Sequence, residues 1–219
     1  MPALANPSYV TVREDLLALV PSDPIKSVLD LGCANGATAA VLKQRRPGVH
    51  VTGIELDQSL AVEAEQRLDR VLATDCLSGL EQLQREQLKF DLILCGDILE
   101  HLADPWSALR RIQELTRGHV IVSLPNVAHF STIWSLLVLK RFPYRDRGIH
   151  DRTHLRFFAA ANLPELFEQA QLREVARRVQ YRLIERPHPL NEKVAPLLAV
   201  LPGLKGLTAF QFLSLLRPA

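Results

Sequence analysis

The chain has 219 residues, 47% hydrophobic and 23% charged, the balance of a globular protein long enough to bury its own core. Lys and Arg number 26 against 24 Asp and Glu, and the net charge of +2 excludes an acidic disordered protein and gives no whole-chain argument for nucleic acid. Three cysteines at wide spacing, Cys33, Cys76 and Cys95, exclude a disulfide framework and a C-x-x-C zinc site and point to a reducing, cytoplasmic setting.

The opening run MPALANPSYV lacks the basic-then-apolar order of a signal peptide. Tyr9 to Val20 reads as a helix stopped by Pro21 and Pro24. Strand-like apolar runs then alternate with helical ones. The strands are Ser27–Leu31, Val49–Leu56, Val71–Thr74, Phe90–Cys95 and His119–Leu124. The helices between them are Thr38–Gln44, Gln58–Arg67, Gly79–Gln87 and Trp106–Thr116. This alternation, with strands apolar on both faces, predicts an α/β fold with a parallel sheet covered by helices on each side. The rhythm then changes: Asn162–Ala170 reads as a helix, and Arg173–Leu183 and Leu207–Leu216 as strands of an antiparallel hairpin. Between those strands, residues 185–206 form an insert with four prolines. Val194–Leu216 is apolar but is broken by Pro196, Pro202, Gly203, Lys205 and Gly206, so no transmembrane segment is expected. No linker is visible, and residues 1–219 are read as one domain.

The most informative stretch is Val28-Leu-Asp30-Leu-Gly32-Cys33-Ala34-Asn35-Gly36-Ala37-Thr38. A buried strand ends in a loop of small residues that opens a helix, where free backbone N–H groups meet a ligand. Glu55, 23 residues beyond Gly32, stands where a carboxylate grips ribose hydroxyls. A dinucleotide fold wants G-x-G-x-x-G/A, and Gly32-x-Ala34-x-x-Ala37 matches it only loosely. The competing reading wants an acidic residue before the first glycine to hold a ligand's ammonium group, and Asp30 supplies it.

With these residues the sequence resembles the class I S-adenosylmethionine-dependent methyltransferases along essentially its whole length. Asp30-x-Gly32-x-Ala34-x-Gly36 is similar to that family's D-x-G-x-G-x-G loop, with Ala34 in place of the central glycine. The resemblance implies a Rossmann-like fold, a mixed seven-stranded sheet with helices on both faces and a C-terminal antiparallel hairpin. It also implies S-adenosylmethionine as cofactor and S-adenosylhomocysteine as product. It assigns Asp30, Gly32, Cys33 and Gly36 to the cofactor loop, Glu55 to the ribose, Leu56 to the adenine face, and Asp75 and Cys76 to the adenine edge. Gly96 and Asp97 fall beside the methionine moiety. A closer resemblance, to small-molecule O-methyltransferases of quinone biosynthesis and of sugar gene clusters, rests on four segments. They are Asp97-Ile-Leu-Glu100-His101-Leu-Ala-Asp104-Pro105, Pro125-Asn-Val-Ala-His129, Asp151-Arg-Thr-His154-Leu-Arg-Phe-Phe158 and Ala209-Phe-Gln-Phe212. It implies a small-molecule hydroxyl acceptor.

Methyl transfer to oxygen asks the protein to align the reactants, exclude water and remove a proton. Histidines 101, 129, 150 and 154 are the base candidates, with His101 and His154 favoured by their place beyond the carboxyl ends of the strands. Asp97, Glu100, His101 and His154 also have the character of a divalent-metal site. Some relatives use E-x-x-E-H plus a later histidine for such an ion; here Asp97 replaces the first glutamate, and a metal-free pocket is the simpler expectation. The cysteines read as buried thiols.

Lys140–Arg156 carries six Lys and Arg residues against Asp146 and Asp151. It reads as a solvated loop or as a clamp for a phosphorylated acceptor, with no aromatic interleaving of the kind that stacks bases. Apolar Phe130–Phe142 reads by default as a core helix. Its alternatives are a lid, a homodimer contact, or a membrane-surface contact for a lipid-linked acceptor. Two other functional classes stay open: an NAD(P)-dependent oxidoreductase, which predicts a parallel sixth strand, and a non-catalytic binding subunit that keeps the fold.

Overall fold

The computed structural model describes residues 10–185, 188–201 and 204–219. In chain order the first elements are α1 (Glu14–Leu17), β1 (Ser27–Leu31), α2 (Ala37–Arg45), β2 (His50–Glu55), α3 (Gln58–Glu65) and β3 (Arg70–Ala73). Then come α4 (Cys76–Arg85), β4 (Phe90–Gly96), α5 (Pro105–Leu115), β5 (Thr116–Pro125) and α6 (Phe130–Leu137). The chain closes with α7 (Leu163–Glu168), β6 (Leu172–Tyr181), α8 (Pro189–Lys193), α9 (Ala195–Leu198), α10 (Leu204–Thr208) and β7 (Ala209–Pro218).

All seven strands form one sheet in the order β3-β2-β1-β4-β5-β7-β6. The first five run parallel, and β7 enters antiparallel to both β5 and β6. The expected mixed seven-stranded sheet and terminal hairpin are therefore present. The neighbour of β5 is antiparallel, against the parallel sixth strand of the oxidoreductase alternative.

Strand alternation divides the core between the two faces. Leu29, Leu31, Ile54, Ile93, Cys95, Val120 and Val122 pack against Leu80, Leu83, Leu109, Ile112 and Phe167 from α4, α5 and α7. Val28, Val51, Leu92, Leu94, Ile121 and Leu213 pack on the other side with Leu16, Leu17, Ala39, Leu42 and Ala64. Asp75 and Asp104 cap α4 and α5, their side chains accepting from Ser78 N and Ser107 N. Local signals thus start the helices, and burial against the sheet holds them.

Three expectations change. The N-terminal helix covers only Glu14–Leu17: Arg13 N donates to Thr38 Oγ1 at 3.1 Å, outside a helical ladder, and Tyr9, the first residue of the expected helix, lies outside the described residues. The Phe130–Phe142 helix ends at Leu137, and it is not a core helix, since its buried residues are Thr132 and Ser135. The 185–206 insert contains short helices, with residues 186–187 and 202–203 outside the described residues.

At the amino edge of the sheet, Asp91 accepts from Lys26 N, Ser27 N and Arg117 Nε at 2.7–2.9 Å, binding β1, β4 and β5 together. The β4–β5 register slips between Phe90 and Leu92, and the Asp91 backbone bulges against Gly118. A Cβ on Gly118 would stand 2.2 Å from the Asp91 carbonyl oxygen. Gly118→Ala is accordingly expected to destabilise the fold by roughly 1–3 kcal/mol. Gly206→Ala, where nothing stands within 4 Å, should be neutral or slightly stabilising. Urea denaturation of the two variants measures the difference.

Candidate active site

The site lies beyond the carboxyl ends of β1, β2 and β4, where open α/β sheets take their ligands. Gly32 and Gly36 hold φ of +69° and +76°, and Ala34 holds +47°. The alanine that replaces the motif's central glycine therefore sits in the left-handed region, at a cost of about 1 kcal/mol. Glu55 supports it: its Oε2 accepts from Ala34 N at 2.8 Å and its Oε1 from Asp57 N at 2.9 Å. The Glu55 carboxylate thus spans the loop after β1 and the start of α3. Each oxygen keeps a further lone pair for a ligand.

Asp30 lies on β1, paired in register with Gly53 and Leu94. Burial pushes its carboxyl up to about 7, and the nearby Glu55 charge adds to the effect. Two carboxylates at the loop, one buried and one half-buried, make the site electronegative and suited to a cationic ligand group. Leu56 is well exposed beside them. Cys33, Cys76 and Cys95 are free and buried, and burial is the main cause that pushes each thiol up, so none has nucleophile character. Asp75 is the N-cap of α4, and its bond with Ser78 lowers its carboxyl. Gly96 closes β4, directly before Asp97.

Asp97 departs from its expected company. Its Oδ2 pairs with Arg13, and its Oδ1 accepts from Ser123 Oγ at 2.6 Å and from Gln211 Nε2. Arg13 falls within the stretch Tyr9–Val20 that reads as a helix from sequence, and nothing in that pattern marks it as a site residue. Arg13 also forks onto Asp15 at 2.8 and 2.9 Å. No local signal marks it, because its partners lie up to 198 positions away.

Glu100, His101 and His154 each bring one ligand-capable atom within 4.8 Å of the others, without Asp97. Glu100 and His101 lie on the turn Leu99–His101 after β4. The Glu100 carbonyl accepts from Leu155 N at 2.8 Å and Arg156 N at 3.0 Å, which ties the loop after β5 back to that turn. The imidazoles meet edge to face with centroids 4.7 Å apart. Thr153 Oγ1 gives its one proton to Asp151 Oδ1 at 2.6 Å, so it accepts from His101 Nδ1 at 3.1 Å. His154 Nδ1 donates to the Ile149 carbonyl at 3.2 Å. Both rings therefore carry the proton on Nδ1 and keep the Nε2 lone pair. Burial lowers both imidazoles and holds them neutral. Glu100 is buried, its Oε2 has no hydrogen-bond partner, and burial with the Asp97 charge raises its carboxyl well above the usual range.

The other two histidines are structural. His129 caps α6 and bonds the Arg182 carbonyl at 2.8 Å. His150 is fully buried between Thr132 Oγ1, at 2.9 Å from its Nε2, and Glu185, at 3.2 Å from its Nδ1.

Residues 9–176 match the methyltransferase domain family. The chain belongs to that family. A ubiquinone biosynthesis O-methyltransferase of Pseudomonas aeruginosa strain UCBPP-PA14 is 33% identical over 135 residues, 58% of this chain and 56% of the relative. A protein of the same name from Aeromonas salmonicida is 31% identical over 156 residues, 67% of this chain and 63% of the relative. The chain thus spans between half and two thirds of the length of these relatives. In fold it is similar to a SAM-dependent methyltransferase of Thermotoga maritima, with TM-score 0.62 at 20% identity, covering 97% of this chain and 89% of that one.

The Asp30 environment has a measurable consequence. Between its ordinary value of 3.8 and about 7, the folded methyltransferase domain holds a proton that the unfolded chain has lost. Stability from this group is fully present below the lower value and is lost as pH rises through the upper one. Asp30→Asn is expected to flatten that slope, read by urea denaturation of the ligand-free protein at several pH values from about 4 to 8.

Proposed function

We propose that the chain transfers a methyl group from S-adenosylmethionine to a hydroxyl oxygen of a small-molecule biosynthetic intermediate, sugar or quinone-like. One observation carries this reading. An electronegative Asp30–Glu55 loop and two neutral imidazoles with free Nε2 atoms both lie beyond the carboxyl ends of the same parallel sheet. The cofactor supplies an activated methyl on a cationic sulfur. On this reading Asp30 takes the ammonium group, Glu55 the ribose hydroxyls, Leu56 the adenine face, and Asp75 with Cys76 the adenine edge. Gly32, Cys33 and Gly36 let the backbone approach, and Gly96 with Asp97 lines the methionine end. His101 or His154 removes the acceptor proton at Nε2. The O-methyltransferase names of the relatives support oxygen as the methylated atom.

A second reading of the histidine cluster is favoured by the unpartnered Glu100 Oε2. A buried carboxylate oxygen without a donor, beside two imidazoles whose Nδ1–H groups are anchored on a hydroxyl and a carbonyl, fits a divalent cation. Glu100, His101 and His154 would hold Mg²⁺, Mn²⁺ or Zn²⁺, which would lower the pKa of a bound hydroxyl. Asp97 is already engaged by Arg13 and takes no part.

Glu55→Ala is expected to weaken S-adenosylhomocysteine at least about tenfold by calorimetry, because charge-assisted bonds to ribose are each worth roughly 1.5–3 kcal/mol. Glu63→Ala on α3 should leave affinity unchanged. Equal affinities for wild type and Glu55→Ala would remove the assignment.

His101→Ala and His154→Ala are expected to cut turnover of a hydroxylated acceptor by roughly 10²–10⁴-fold while cofactor affinity holds. If the cluster binds a cation, chelator abolishes turnover, added Mg²⁺, Mn²⁺ or Zn²⁺ restores it, and the double variant is little worse than either single one. A metal-free base is indifferent to chelator. Wild-type rates in both variants would exclude either role.

A further inference from the structure

Helix α6 is inside out. Its Thr132 and Ser135 are buried at 1% and 7% exposure, while Trp134 and Leu137 stand 57% and 66% exposed, flanked by exposed Ile133, Leu136, Val138 and Leu139. A polar partner explains the inward side chain of Thr132, whose Oγ1 lies 2.9 Å from His150 Nε2. Among the described residues nothing covers the outward face. An exposed apolar patch of this kind marks an interaction surface.

The patch continues to the candidate site. Phe142 packs its ring on His150, behind α6, at 5.3 Å and on Phe157 at 5.4 Å. Phe157 and Leu155 are exposed, and Leu155 follows His154 directly. Cations border the same segment. Arg145 is paired with Glu185 and Arg152 with Asp146, but Lys140, Arg141 and Arg147 are exposed and form no ion pair among the described residues.

We propose that this face, α6 with residues 138–157, docks on an anionic membrane surface and turns the mouth of the site toward the lipid. A tryptophan and leucines with adjacent unpaired cations are the complement of an interface of apolar chains under negative headgroups. A second copy of the chain fits less well. An isologous contact would bring Lys140, Arg141 and Arg147 close to their own copies, and like charges across an interface are costly. The inference goes beyond methyl transfer and holds whatever the acceptor.

The test is flotation of the full chain with phosphatidylcholine vesicles, with and without phosphatidylglycerol. Trp134 emission is followed in a Trp106→Phe background. Binding is expected only to the anionic vesicles, with a blue shift of Trp134 and loss in high salt. Lys140→Glu with Arg141→Glu should weaken it by at least roughly fivefold per cation removed. Trp134→Ser with Leu137→Ser should abolish it. Both double variants should retain wild-type S-adenosylhomocysteine affinity, the check on folding, and the comparison of vesicle compositions needs no variant at all. Failure of the wild type to float, or equal binding to neutral vesicles, would overturn the proposal. So would a dimer in solution that shields Trp134 and is lost in the Trp134→Ser with Leu137→Ser variant. Inorganic phosphate should not compete; if it does, the cations form a free-anion site instead.

Discussion

The Asp97 carboxylate is the point on which the site's construction depends. It follows β4 with φ of +53°, a backbone conformation that costs a non-glycine residue of order 1 kcal/mol. The carboxylate offsets that cost by joining Arg13 from the N-terminal segment, Ser123 on β5 and Gln211 on β7. Asp97 N donates to Ser123 Oγ at 3.0 Å, so backbone and side chain are fixed together. The turn Leu99–His101 leaves from this knot, and with it the direction of Glu100 and His101. The hairpin that separates this fold from an all-parallel sheet thereby contributes directly to the site, through Gln211.

Around the knot the charges are arranged in an unresolved state. Asp30 carries a carboxyl held up to about 7, and Glu100 an oxygen with no donor. A protein interior that keeps such groups loses stability relative to apolar substitutes. On the proposed reading a cationic partner would relieve each, an ammonium group at Asp30 and a metal ion or a proton at Glu100. Asp30 lies near the carboxyl end of β1 and Glu100 just after the neighbouring β4, so both stand at the same end of the sheet.

The loop after β5 joins that chemistry to the surface. Its backbone returns to the Glu100 carbonyl, its His150 reaches α6 through Thr132, and Glu185, at the start of the insert, braces both His150 and Arg145. One hydrogen-bonded path therefore runs from the histidine pair to the outward apolar helix. Thr132 faces inward because it completes that path, and the apolar residues are left outside.

The strand–helix alternation, the two-sided apolar strands and the late change of rhythm were legible in the sequence, because burial on both faces writes itself into local composition. The Asp30–Gly36 loop and Glu55 were legible for the same reason: a close backbone turn needs small residues, and a strand end needs its carboxylate at a set distance. His101 and His154 could be grouped with Asp97 and Glu100 as metal candidates, but residue types alone do not fix their geometry. Their meeting depends on Glu100 accepting from Leu155 and Arg156, bonds between segments more than fifty residues apart. Arg13 was read as part of a helix and Asp97 as a metal candidate, since periodicity carries no information about an ion pair across 84 positions. Helix α6 shows the limit most plainly. A helical period tells which residues share a face, but which face is buried is decided by what the rest of the chain places beneath it, here a buried histidine that prefers Thr132 to Trp134.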